Sequence, residues 1–184
     1  REDLPLILEA AKSLGYRTSL CTNGNRLAER AAQIGPLLDV LLCSLDGYRE
    51  THDELRGAAG LFDRTVRGIE EAKQHARCEV KIWAVVHRRN QAEIARLALV
   101  AQELAIGIEF FPLSAIAGYN EDLVLSAAER RESFGLVQEL KQQGLPIRNP
   151  DRALDIMRLG RPFHCNFPTI AISFDHRGTL HTCE

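Results

Sequence analysis

Two strand ends constrain this chain more than any other feature. The strand-like run Arg17 to Cys21 breaks at Thr22-Asn23-Gly24, and the apolar run Val40 to Cys43 breaks at Ser44-Leu45-Asp46-Gly47. Each end sets small polar side chains and a glycine where a buried strand would turn into a loop. Sheets of the α/β kind, open or closed, gather ligand groups at that place, because the carboxyl ends of parallel strands share one rim. A ligand site at one rim of a sheet is the expectation.

The apolar spacing supplies the rest of such a sheet. Leu4, Ile7, Leu8, Ala11 and Leu14 recur with a helical period and stop at Gly15. Leu27, Ala28, Ala31 and Ile34 mark a second helix, closed by Gly35-Pro36, and Asp39 to Leu45 reads as a strand. Phe62, Val66, Ile69, Ala72 and Ala76 predict a helix, followed by a β-branched strand from Glu79 to His87. Asn90 with Glu93 spells a capping box for a helix bearing Ile94, Leu97, Ala98, Ala101 and Leu104. Gly107 to Pro112 is the fourth strand, and Ser126 with Glu129 caps a helix carrying Phe134, Val137 and Leu140 that stops at Gly144. Apolar strands separated by helices imply parallel pairing through crossovers, an α/β fold that is either barrel-like or doubly wound. After about Asp151 the pattern changes. Pro162 to Glu184 reads as a cysteine, two short strands (Thr169 to Phe174 and Thr179 to Thr182) around Asp175-His176-Arg177-Gly178, and a second cysteine. The expected organisation is a unit over residues 1–150 and the start of a different module over residues 151–184.

Composition narrows the function classes. The 184 residues are 45% apolar, enough for one domain of the usual ~100–200 residues with a normal core. A formal net charge of -2 without long blocks of like charge argues against a polyanion-binding surface, so nucleic acid is not an expected partner. No run approaches the ~18 apolar residues of a membrane span, and the N-terminus lacks a signal-peptide pattern. The reading is a soluble, cytoplasmic protein without a membrane partner. The sequence opens on Arg1 and holds a single methionine, Met157, so it reads as a piece of a longer protein.

The motifs taken in order resemble a known family. Thr22-Asn23-Gly24, Ser44-Leu45-Asp46-Gly47 with Thr51-His52-Asp53 and Arg56-Gly57 behind it, Phe62, Val80-Lys81-Ile82 through Asn90 and Ile94, and Ile108-Glu109-Phe110-Phe111-Pro112 look like the later part of a radical S-adenosylmethionine (radical SAM) core. The resemblance covers roughly residues 1 to 120. It implies a partial (β/α) barrel of parallel strands, with S-adenosylmethionine (SAM) and a [4Fe-4S] cluster as cofactors. The Cys-x-x-x-Cys-x-x-Cys loop whose thiolates hold that cluster is absent from this sequence. By resemblance, Ser44 and Asp46 bind ribose or neighbouring SAM atoms, and Thr22 and Asn23 lie near the methionyl part or shape the rim. Phe111 matches a strand position that sets an apolar residue against adenine. Lys81 resembles a lysine that the GTP-cyclising branch of the family uses on substrate. Singly, these motifs read as ordinary turns: Asn-Gly and Asp-Gly are turn dipeptides, and Lys81 is as easily a strand lysine.

The five cysteines divide into two groups. Cys21, Cys43 and Cys78 sit in or beside strands without partner spacing and read as buried or incidental thiols. Cys165 and Cys183 flank the short hairpin, as do cysteines that ligate an auxiliary iron-sulfur cluster in SPASM or twitch extensions of radical SAM enzymes. Two thiolates do not complete a cluster that needs four. A zinc site using His164, Cys165, His181 and Cys183 fits the ligand types, and a disulfide is the third reading.

Three functions follow. The first is part of a radical SAM enzyme that cleaves SAM reductively to a 5'-deoxyadenosyl radical for hydrogen abstraction. Its substrate would be a small molecule or peptide, in peptide or protein modification or in cofactor maturation, with a reductant such as a flavodoxin or ferredoxin. The second is a non-catalytic α/β ligand-binding module. The third is a sugar- or phosphate-handling (β/α) barrel fragment.

Overall fold

The computed structural model describes residues 2–75, 78–162, 173–175, 177 and 179–181. Helix α1 (Leu4–Ser13) leads into β1 (Ser19–Thr22), and α2 (Leu27–Ile34) leads through a 3-10 turn into β2 (Val40–Ser44). A short α3 (Glu50–Arg56) and the longer α4 (Leu61–His75) precede β3 (Glu79–Val86), and α5 (Ile94–Glu103) precedes β4 (Gly107–Pro112). Helices α6 (Ala127–Gln142) and α7 (Asp151–Leu159) follow. The four strands form one parallel sheet in the order β1-β2-β3-β4. This is the α/β fold that the apolar spacing predicts, and the sheet is open rather than closed into a full barrel.

Side chains alternate across each strand, and the two faces differ in kind. Val80, Ile82, Ala84 and Val86 of β3, Leu41 and Cys43 of β2, and Ile108 and Phe110 of β4 are buried. They share one core with Ala31 and Ile34 of α2, Ile69 and Ala72 of α4, Leu97 and Ala101 of α5, and Phe134 and Val137 of α6. Each helix brings its apolar residues at three- and four-residue spacing, so burying that stripe is what holds it to the sheet. Helices α2 and α4 approach closely at Gly68, where an added Cβ would stand 2.7 Å from Leu27 Cβ. On the other face Leu42, Ser44, Lys81, Trp83, Val85, Glu109 and Phe111 stay partly exposed.

A second short pair, β5 (Ser173–Phe174) and β6 (Leu180–His181), runs antiparallel as the hairpin reading predicts. Its turn is held by Asp175, whose Oδ1 accepts from the backbone N–H groups of Arg177 (2.8 Å) and Thr179 (2.9 Å). Cys165, Cys183 and His164 lie outside the described residues, so the choice between cluster, zinc and disulfide rests where the sequence leaves it.

Local expectations part company with the structure at Asn90. The Ser126 capping box forms in full, with Glu129 N–H on Ser126 Oγ and Glu129 Oε2 on Ser126 N–H. The Asn90–Glu93 box does not form. Asn90 is buried and spends its side chain on His87 N–H, Val85 O and Asp46 O, all at 2.7 Å, while Glu93 accepts from Tyr48 N–H and the Thr51 hydroxyl. Tertiary partners outbid the local cap, and a 3-10 turn (Gln91–Glu93) starts the helix instead. Asp53 caps the helix after its own: it accepts from Phe62 N–H (2.9 Å) and Gly60 N–H at the start of α4.

Beyond β4, residues 146–148 run alongside the strand through a single bridge, Ile108 to Ile147. There the ladder ends, and Asn149 continues it with its carboxamide. The buried Asn149 accepts from Phe110 N–H and donates to Phe110 O, both at 2.9 Å. Helix α7, just past the boundary expected near residue 150, packs on α6 through the fully buried Leu154 and the Gln138–Asp155 and Arg158–Gln138 hydrogen bonds. Replacing Asn149 with alanine orphans a buried donor and a buried acceptor. Asn149→Ala is expected to lower unfolding free energy by about 2–4 kcal/mol, read from denaturant midpoints.

Candidate functional site

The open face carries three chemically distinct rows. Ser44, Trp83 and Glu109 are register partners on β2, β3 and β4, so they share one face and one level. One level towards the strand starts lie Leu42, Lys81 and Gly107, and one level towards the ends lie Val85 and Phe111. Trp83 and Phe111 stack, with ring centroids 4.6 Å apart and planes at 24°. Lys81 Nζ donates to Glu109 Oε1 at 3.0 Å and stands 3.5 Å from Glu79 Oε2. Burial pulls the Lys81 ammonium down, but its hydrogen bond to Glu109 and the two carboxylate charges outweigh it and hold its pKa above the ordinary value. The Cys21 thiol, exposed on β1, lies 3.9 Å from Ser44 Oγ.

The loop after Ser44 is held from beneath by Asp46. Where β2 ends, Asp46 Oδ1 accepts from Val85 N–H (2.9 Å), continuing the ladder with a side chain. Its Oδ2 accepts from Arg56 Nε at 2.7 Å and pairs with Nη2 of the same guanidinium. The Asp46 N–H donates to His52 Nδ1 at 3.1 Å. Gly47 is required here, since an added Cβ would lie 2.7 Å from Thr51 Cγ2 and 2.9 Å from His52 N. Above the loop, the Tyr48 ring carries the Arg96 guanidinium at 4.2 Å and that of Arg49 at 5.4 Å.

His52 is completely buried and accepts through Nδ1, so its proton sits on Nε2, which has no hydrogen-bond partner among the described residues. Burial lowers its pKa, against the pull of the Asp46 charge. Burial also lowers that of His87.

Three of the residues expected from sequence come together: Ser44, Lys81 and Phe111 all point to the open face. Thr22 does not. It is the register partner of Cys43, on the helix-covered side, and its hydroxyl accepts from Gly24 N–H at 3.2 Å. Asn23 turns the chain through Oδ1, which accepts from Asn25 N–H. Both line a cavity of about 360 Å³ that Leu4, Leu20, Arg26 and Arg30 also border. Asp46 lies under the loop with both carboxylate oxygens engaged, one by Val85 N–H and the other by the Arg56 guanidinium. Of the thiols expected to be buried or incidental, Cys43 is buried and Cys21 is exposed. Trp83 and Glu109 are functional candidates that the motif reading passed over. The signal for them was the two-residue alternation of Lys81-Trp83 and Glu109-Phe111.

Among the described residues, no group of three or more His, Cys, Asp or Glu could hold a metal ion. Cys43 is buried in apolar surroundings, and burial pushes its thiol up to about 12, the reverse of what a thiolate ligand needs. The described thiols therefore do not fit a [4Fe-4S] site.

Comparison with known proteins bears on this arrangement. The chain is 31% identical over 191 residues to Fe-coproporphyrin III synthase of Methanosarcina barkeri, covering 86% of this chain and 47% of that protein. It is 31% identical over 199 residues to a probable GTP 3',8-cyclase of Saccharolobus islandicus, covering 100% and 63%. Among solved structures, Streptococcus suis SuiB bound to S-adenosylmethionine superposes with a TM-score of 0.65 at 18% identity, over 88% of this chain and 39% of SuiB. The chain belongs to the radical SAM superfamily. This is a family of enzymes. The radical SAM fold is also shared with anSMEcpe, solved with AdoMet and a peptide, at a TM-score of 0.60 and 20% identity over 82% of this chain and 46% of that one. No protein-family model matches. The chain spans about half to two thirds of the length of these curated relatives. Among the described residues, no helix is long and apolar enough to cross a membrane.

Two buried histidines near the strand ends of this radical SAM family member carry a pH signature. His52 and His87 favour the neutral form more in the folded than in the unfolded chain, so the unfolded chain takes up protons first as pH falls through 6.5. Their contribution is full above that value and declines below it. Denaturant midpoints are expected to fall from about pH 7 to about pH 5.5, and less steeply in His52→Asn, which keeps an acceptor for Asp46 N–H. An equally steep decline in the variant would remove His52 as a source.

Proposed function

We propose that this chain forms the SAM- and substrate-facing part of a radical SAM enzyme whose reaction begins with reductive cleavage of SAM. The single observation that carries this is the open face. It sets a partly exposed hydroxyl, an aromatic wall and an ion pair side by side on a parallel sheet that is otherwise packed with apolar side chains. When bound, SAM supplies a 5'-deoxyadenosyl radical by one-electron cleavage of its C5'–S bond; that radical takes a hydrogen atom from substrate, leaving methionine and 5'-deoxyadenosine. The electron calls for a [4Fe-4S] cluster and a reductant such as a flavodoxin or ferredoxin. The described residues hold no thiolate set for that cluster, and none of the roles below depends on it.

Ser44 Oγ, partly exposed at the end of β2, suits a ribose hydroxyl. Phe111, braced by Trp83, offers an apolar surface to adenine. Thr22 and Asn23 shape the rim beside β1, and Asp46 positions the Ser44–Gly47 turn through Arg56 and Val85. The Lys81–Glu109 pair faces substrate. The substrate class we favour is a peptide or a cofactor precursor, in keeping with a neighbour solved with a peptide and relatives named as porphyrin and GTP enzymes. An auxiliary cluster at Cys165 and Cys183 belongs to the same proposal.

Loss of one buried hydrogen bond typically costs about 0.5–1.5 kcal/mol, so Ser44→Ala in the whole protein is expected to weaken SAM binding a few-fold to about tenfold. Iron and sulfide per chain should stay unchanged. Undiminished SAM affinity would make Ser44 a turn residue. SAM binding without release of 5'-deoxyadenosine under reducing conditions would favour the non-catalytic binding module. Asp46→Asn is expected to act differently, lowering the denaturant midpoint as well as SAM affinity, because it leaves the Arg56 guanidinium uncompensated.

A further inference from the structure

The open face divides into a charged half and an uncharged half. Lys81 sits one level before Trp83 on β3, and its ammonium reaches across to Glu109 on β4 at 3.0 Å, with Glu79 of its own strand at 3.5 Å. These charges lie towards β4 and the strand starts, and they satisfy one another. On the β2 side of Trp83 stand Ser44, level with it, Leu42 one level lower, and the Cys21 thiol of β1, 3.9 Å from Ser44 Oγ. No carboxylate, ammonium or guanidinium belongs to these positions.

Trp83 bounds the uncharged half with a flat wall. Phe111 stands on β4, so the indole that it stacks against, at 4.6 Å and 24°, is covered from that side and bare towards β2. Among the described residues no second ring stacks on the indole. Its neighbour across is the small Ser44, and Leu45 N–H on Trp83 O at 3.2 Å ties the two strands together just past that level. An uncharged conjugated ring suits this space, because it gains by stacking on indole and gives up no solvated charge.

Adenine is such a ring, and the register of the strands decides which aromatic it meets. Adjacent strands lie about 4.8 Å apart, and one level along a face is roughly 6.6 Å. Trp83 is one strand from Ser44 at the same level, whereas Phe111 is two strands away and one level further on, behind the indole. A base joined to its ribose by a single bond lies beside that ribose. With a ribose hydroxyl on Ser44, the base meets Trp83 before it can reach Phe111.

Resting on the reading of this face as a SAM site, we propose that the adenine of SAM stacks on the β2 side of Trp83. Phe111 is a positioning residue that acts through the indole it backs. The adenine contact thus moves from the residue that the family resemblance marks to its partner in the stack.

Equilibrium dialysis of SAM and 5'-deoxyadenosine against the whole protein, purified anaerobically, tests this. Trp83→Leu is expected to weaken both by at least about fivefold, the low end of what losing a base–aromatic stack costs. Trp83→Phe, which keeps a ring in place, is expected to stay within about threefold of the parent, and Phe111→Leu to cost only about two- to threefold. A larger loss in Phe111→Leu than in Trp83→Leu overturns the proposal, since the base would then lie on Phe111. Unchanged affinity for both nucleosides in a Trp83→Leu variant with parental far-UV circular dichroism overturns it too, and gives the indole to substrate instead. If Trp83→Leu does not fold, intermolecular nuclear Overhauser effects on the parent decide. Adenine H2 and H8 close to the Trp83 ring support the stack, and contacts to Phe111 alone or to neither ring overturn it. A parent that binds neither SAM nor 5'-deoxyadenosine sinks the radical SAM reading of the face and this inference with it. Binding of both that is indifferent to Trp83 sinks this inference only.

Discussion

The buried carboxylate of Asp46 is the constraint on which the site depends. Taking that charge out of water is costly unless it is fully paired, and here one guanidinium and one backbone N–H do the pairing. A buried pair of this kind adds little net stability, but it tolerates only one geometry. Oδ1 must reach Val85 N–H and Oδ2 must reach Arg56, so the end of β2 is pinned against β3 at one register. That register is what sets Ser44 level with Trp83 and Glu109. Asn90 reinforces it from the other side by bridging Asp46 O and Val85 O.

Side chains that stand in for backbone recur where the sheet runs out. Asp46 extends the ladder past β2, and Asn149 extends it past the Ile108–Ile147 bridge beside β4. In both places a strand ends while its neighbour continues, and the unpaired N–H or C=O would otherwise be buried without a partner. The result is a rim whose loops can differ in shape while the strand ends stay fixed, which is what a site built at strand termini needs.

A parallel sheet is ordinarily covered on both faces by apolar side chains. This one is covered on one face by α2, α4, α5 and α6, while its other face keeps a lysine-glutamate pair, a tryptophan-phenylalanine stack and a serine partly exposed. Such residues carry a desolvation cost that packing against a helix would not repay. Their presence is the reason this face is proposed as the one turned to a polar ligand. Membership of the radical SAM superfamily, with relatives at 31% identity, weighs against the sugar- or phosphate-handling barrel that the strand-loop pattern alone left open.

The chain's own order of residues determined the element sequence, because apolar spacing at two and at three to four residues is a local property that survives any change of neighbours. It determined the Ser126–Glu129 cap for the same reason: both partners lie within one turn. The equivalent pattern at Asn90–Glu93 was overruled, since Asp46 and Tyr48, more than forty positions away in the chain, offered those side chains buried partners that water could not replace. The open face follows the same division. Ser44, Lys81 and Phe111 were legible as strand positions in ordered motifs, whereas the stack of Trp83 on Phe111 and the pairing of Lys81 with Glu109 exist only once β3 and β4 lie in register. Thr22 shows the converse: its place at a strand end was readable, but the direction of its side chain was decided by pairing with Cys43. Sequence specifies what each strand can present, and the register of the parallel sheet, fixed by long-range hydrogen bonds and burial, decides which of those groups meet.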